Sequence, residues 1–120
     1  MLIEGIKGDA GLGRIIQESV PGKQVTIAHV IAAPMPDIYE SLDMKYREAI
    51  GILTLSPCET SIIAADIAIK AAKVKIAFLD RETGSLIITG DVQSVESALS
   101  AVTAVLHDDL GFAVVPITKT

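Results

Sequence analysis

Few side chains in this chain could do chemistry, and they lie apart. Cys58 sits in Ser56-Pro57-Cys58-Glu59. That run reads as a capping box, with Ser56 at the N-cap, Pro57 at N1 and Glu59 at N3 reaching back. At N2 the helix dipole would favour the Cys58 thiolate. A nucleophile also needs a base, and none is placed nearby in sequence, so Cys58 reads as a small residue filling a helix turn. His29 lies in the aliphatic run QVTIAHVIA without an adjacent acid or nucleophile, which suits a packing or interface histidine. His107 precedes Asp108-Asp109 at a helix end, where a cation is favoured. One Cys and two His do not build a metal centre within one chain at any recognisable spacing. The spacing of Gly8, Gly11 and Gly13 resembles a phosphate loop only faintly, since no strand precedes it and no helix follows. Asp80, Arg81 and Glu82 form the one dense charge group in a loop, which in a monomer reads as a solvated hairpin tip. The residues alone therefore predict no catalytic centre, no metal and no cofactor.

Composition narrows the class further. The 120 residues fit one domain. Half are hydrophobic but only 3% are aromatic, so the apolar mass is Ala, Val, Ile and Leu. That much aliphatic surface asks for a generous core or for cover by other subunits. Net charge is -5 with no Lys/Arg block, which argues against a nucleic-acid partner. No apolar run reaches 18 residues, so no membrane span is expected. The first residues lack a basic region followed by an apolar run, and the single cysteine suits a reducing compartment.

The elements that must position these groups follow from periodicity. Residues 1–13 carry four of the nine glycines and read as a flexible leader. Arg14 to Ser19 is a short extended segment, and Val20-Pro21-Gly22 is a turn. Gln24 to Ala32 and Ala49 to Leu55 are strands covered on both faces. Between them Asp37 caps a short helix to about Met44. The helix from Ser56 to Ala72 has one narrow polar stripe, Asp66, Lys70 and Lys73, and Ile or Ala elsewhere, so it should pack on more than one side. Val74–Leu79 and Leu86–Thr89 form a hairpin around Asp80–Ser85. Asp91 caps an amphipathic helix broken by Gly111, and Phe112–Ile117 reads as a last strand limited by Pro116. The order predicts an α+β layer, with helices on one face of a mainly antiparallel sheet, and residues 49–117 show the ferredoxin-like β-α-β-β-α-β order.

Three runs, RIIQESVPGKQVTIAHVIAAP, AIGILTLSPCETSIIAADIAIKAA and FLDRETGSLIITGDVQSVESAL, together resemble the circularly permuted shell proteins of bacterial microcompartments, of the ethanolamine-, propanediol- and choline-utilisation type. The resemblance spans residues 14–120 as one permuted BMC shell domain. In ordinary shell proteins a strand like VTIAHVI follows the second helix, whereas here it comes first. The resemblance implies a structural protein in a cytoplasmic microcompartment shell. It would form a homohexamer, tile with other shell proteins and meet an encapsulated-enzyme targeting peptide. It implies that Asp80, Arg81, Glu82, Thr83, Gly84 and Ser85 surround a central pore. Arg14, Ile15, Ile16, Gln17, Glu18 and Ser19 would be the strand that, repeated six-fold, forms a β-barrel plug over that pore. Lys70 would lie at the hexamer–hexamer edge, where the arginine of the usual Pro-Arg-Pro turn is replaced by Ala33. The alternatives in other classes are a ferredoxin-like small-molecule-binding regulatory domain and an enzyme using Cys58.

Overall fold

A computed structural model describes residues 22–42 and 48–120. The leader 1–13, the strand expected at Arg14–Ser19 and the end of the short helix at Met44 lie outside the described residues. The fold is α+β. In chain order it comprises β1 Gln24–Ile31, α1 Pro36–Ser41, β2 Ala49–Ser56, α2 Thr60–Ala71, β3 Lys75–Asp80, β4 Ser85–Gly90, α3 Val92–Asp108 and β5 Thr118–Lys119. The strands make one sheet in the order β3-β4-β2-β1-β5, antiparallel throughout except for the parallel β1–β5 pair. Helices α2 and α3 pack on each other and on this sheet.

Their shared core holds Leu53, Leu55, Leu86, Ile88, Leu99 and Leu106, all fully buried. Each such side chain contributes roughly 1.5–3 kcal/mol by leaving water. Close approach depends on Gly51. A Cβ there would lie 2.8 Å from Val95 Cγ1 and 2.9 Å from Ile88 Cγ1, so α3 can rest on the centre of the sheet only over a glycine. At its N-terminus α3 is held by Asp91, whose Oδ1 accepts from the Ser94 amide at 2.9 Å, as its sequence predicts.

Four expectations need correction. First, Ser56 does not cap a helix, because it stays in the β2 ladder opposite Gln24. Helix α2 starts at Thr60, after Thr60 N–H donates to Pro57 O at 2.9 Å and Ser61 N–H to Cys58 O at 3.1 Å. Strand pairing has outcompeted the local cap, and Cys58 sits in the preceding turn rather than at N2. Second, Asp37 does not cap α1; Met35 is the N-cap, without a side-chain bond, and Asp37 lies in the first turn. Third, Phe112–Ile117 is not a continuous strand. Ala113 bridges Gln24, pairing lapses, and it resumes at Thr118 opposite His29. Pro116 has no N–H to donate, so the run does not pair continuously along β1. Fourth, the ferredoxin-like order places the strand after α3 beside β2, but β1 fills that slot and β5 is displaced to the outside.

Candidate assembly surfaces

The Asp80–Ser85 turn is rigid and anchored. The Gly84 amide donates to Asp80 O at 2.9 Å and the Leu55 amide to Gly84 O at 2.8 Å. Asp80 Oδ1 accepts from the Glu82 amide at 2.8 Å, and Thr83 Oγ1 donates to Ser85 Oγ at 3.1 Å. The Glu82 amide, helped by the Thr83 hydroxyl, holds the Asp80 carboxyl below its ordinary value. Gly84 is buried at φ +76°, and a Cβ there would run into the Leu55 carbonyl oxygen and lie 3.2 Å from Cys58 Cα. Arg81, Glu82 and Thr83 project into solvent, so the turn offers charge from a fixed backbone. All six residues that the sequence groups as a pore loop are thus together.

Strand register gives the domain two distinct ends. At one end Gln24, Ser56, Thr54 and Ser85 align with the Asp80–Ser85 turn. The chain enters β1 there, immediately after residues 1–21. At the other end Ile31, Ile50, Thr89 and Lys75 align. The C-terminus of α2 comes to this second end, where Lys73 O would lie 3.1 Å from a Cβ on Gly90. Lys70, one turn earlier, pairs with Asp66 at 2.8 Å in the i,i+4 geometry that its sequence predicts. The structure therefore keeps Lys70 apart from the Asp80–Ser85 turn.

Helix α2 is inverted relative to an ordinary surface helix. Its buried side is Thr60, Ser61, Ala64, Ala65 and Ala68, while Ile62 and Ile63 are 47% exposed and Ile69 50%. Small residues let the helix lie close to the sheet and leave the large aliphatics outside. Edge strand β3, which packs against α2, adds exposed Ile76, Phe78 and Leu79. An apolar surface of this kind marks an interaction site.

His29 has a role that sequence spacing does not show. Its Nδ1 meets Thr118 Oγ1, and its Nε2 meets Thr120 Oγ1 at 2.9 Å. Thr118 Oγ1 donates to Ala28 O at 3.4 Å, leaving it to accept from Nδ1–H while Nε2 accepts from Thr120. The imidazole thus clasps the C-terminal strand onto β1. The partners lie 89 and 91 residues away, so no local signal could reveal them. His107 Nδ1 bonds Asp108 Oδ1 at 2.9 Å at the end of α3. Among the described residues no cluster of His, Cys, Asp and Glu could hold a metal ion, and no helix is long and apolar enough to cross a membrane.

The BMC domain matches residues 49–118. The chain belongs to the BMC-domain family. Its BMC-domain relatives are shell proteins. It is 55% identical over 109 residues to the bacterial microcompartment shell protein CutR of Streptococcus intermedius, covering 91% of this chain and 94% of CutR. It is 53% identical over 108 residues to the shell protein PduU of Salmonella typhimurium, covering 89% and 93%. Among solved structures it resembles a CutR flat hexamer with a TM-score of 0.81 and 54% identity, over 91% of this chain and 93% of that one. These BMC relatives are structural proteins, and their likeness runs through β1 as well as the matched domain.

Proposed function

We propose that this BMC-domain protein is a hexameric tile of a bacterial microcompartment shell, with its Asp80–Ser85 end at a central pore and its Lys70 end at the tile edge. The near full-length likeness to CutR, in a structure described as a flat hexamer, carries this reading. The exposed Ile62, Ile63, Ile69 and β3 side chains then supply subunit contacts, with no catalytic role. The two ends of the sheet support a radial orientation, because the anchored turn and the α2 terminus point opposite ways.

Circular permutation is part of the same proposal. It is supported by β1, which precedes the domain in sequence yet fills the slot beside β2. Four residues separate the proposed barrel strand, Arg14 to Ser19, from β1, and β1 begins at the pore-loop end. Six copies of that segment would therefore start beside the axis, where a plug could form. Other shell proteins are the proposed neighbours in the layer, and a targeting peptide of an encapsulated enzyme is the proposed visitor to the plugged face. Six chains at -5 carry -30, so the fields at the pore and edge are shared ones.

Light scattering on the purified protein tests the oligomer. Six times 12.6 kDa gives about 76 kDa, and a monomer mass would overturn the proposal. Deleting residues 1–19 tests the plug. A folded hexamer with an open axis is expected, whereas an unfolded product would place that segment in the core instead.

A further inference from the structure

Exposed apolar side chains at the end opposite the pore loop carry one more step. Met35 is 72% exposed, more than any other large hydrophobic of the described chain, and Ile38 is 40% exposed. Pro34 and Pro36 bracket Met35 and restrict its backbone on both sides, so little backbone entropy is left to lose on docking. On α1, Tyr39 is buried while Asp37 and Glu40 are exposed beside the apolar pair. At the same end of the sheet Lys73 and Lys75 are exposed too. None of these four charges has an ion-pair partner among the described residues. Lys75 lies three strands from Ile31, about 14 Å at the usual strand spacing, and α1 lies beyond Ile31.

Resting on the tile reading, we infer that Met35 and Ile38, flanked by Asp37 and Glu40, dock onto the Lys73/Lys75 corner of a second copy of this chain in the neighbouring hexamer. A two-fold axis at the rim brings each acidic α1 against the other copy's lysines, and the contact is self-complementary. Charge complementarity selects the occupant. A tile with net negative charge repels its own kind except where acidic and basic corners meet. Exposed pairs contribute little each. The apolar pair supplies the attraction, and the charges set the orientation.

Three variants test this: Met35→Ser with Ile38→Ser; Asp37→Lys with Glu40→Lys; and the latter combined with Lys73→Glu and Lys75→Glu. Light scattering reads the hexamer, and sedimentation with electron microscopy reads larger assemblies. All three should remain hexamers. The first two should need about tenfold more protein to assemble further, and the fourfold charge swap should restore assembly to the wild-type concentration. Assembly of the first two variants at the wild-type concentration overturns the inference, as does failure of the swap to restore it. A wild type that forms hexamers but no larger assembly overturns it as well. A wild-type monomer would instead sink the tile reading itself.

Discussion

Gly84→Ala is the sharpest perturbation of the proposed pore loop. Gly84 has φ +76°, and its Cβ position is occupied by the Leu55 carbonyl oxygen. Holding an L-residue in that conformation costs about 1–2 kcal/mol. Relieving the clash means moving backbone against backbone, which strains the 2.8 Å bond from the Leu55 amide to Gly84 O. Losing such a bond costs about 1 kcal/mol more. Together the cost is about 2–3 kcal/mol, a large part of the roughly 5–15 kcal/mol that holds a domain folded. Gly111→Ala is the control. It has φ +73°, and a Cβ there meets nothing within 4 Å, so only the conformational cost applies. Thermal unfolding at one fixed protein concentration should show the melting temperature lowered by about 10 °C for Gly84→Ala and by about half of that for Gly111→Ala. Equal effects of the two substitutions would refute the claim that the turn is docked on β2.

Three further outcomes follow from the geometry. Gly51→Ala should destabilise by about 1–3 kcal/mol, because the new methyl overpacks against Val95 and Ile88, and denaturant titration measures it. Asp91→Asn should reveal the charged cap. The Ser94 amide and hydroxyl hold the Asp91 carboxyl below 3.8, so its charge stabilises the fold fully above that value and loses effect as pH falls below it. The wild type should therefore melt higher than Asp91→Asn at pH 7, with the gap closing below pH 3.8. His29→Ala should free the C-terminal strand, read as faster hydrogen exchange at the amides of Thr120 and Ala32, which now bond Val30 O and Thr120 O.

Local chemistry was legible where one segment decides its own structure. The Asp91 cap, the α3 stripe and the Asp80–Ser85 turn all stand where their residue types put them. Ser56 misled because its capping signal is local, whereas its β2 pairing to Gln24 is not. Phe112–Ile117 reads as a strand from its aliphatics, and Val114, Val115 and Ile117 do pack against the core, but Pro116 interrupts the ladder between the Ala113 bridge and Thr118. The Ile-rich circumference of α2 predicts packing on more than one side, and in the single chain Ile62, Ile63 and Ile69 stand exposed. That Ala64, Ala65 and Ala68 face the core while Ile62, Ile63 and Ile69 face out is not readable there, since periodicity does not say which side the sheet takes. The His29 clasp needed β5 brought back beside β1 from across the whole domain.

The central claim is that this chain is a radial wedge, with its charged turn inward and its α2 terminus outward. A cryo-electron microscopy structure of the purified oligomer tests it most directly. The account predicts six-fold symmetry, Asp80–Ser85 nearest the axis, and Lys70 and Met35 at the perimeter. An oligomer with Asp80–Ser85 at the perimeter, or with Lys70 around the axis, would contradict it.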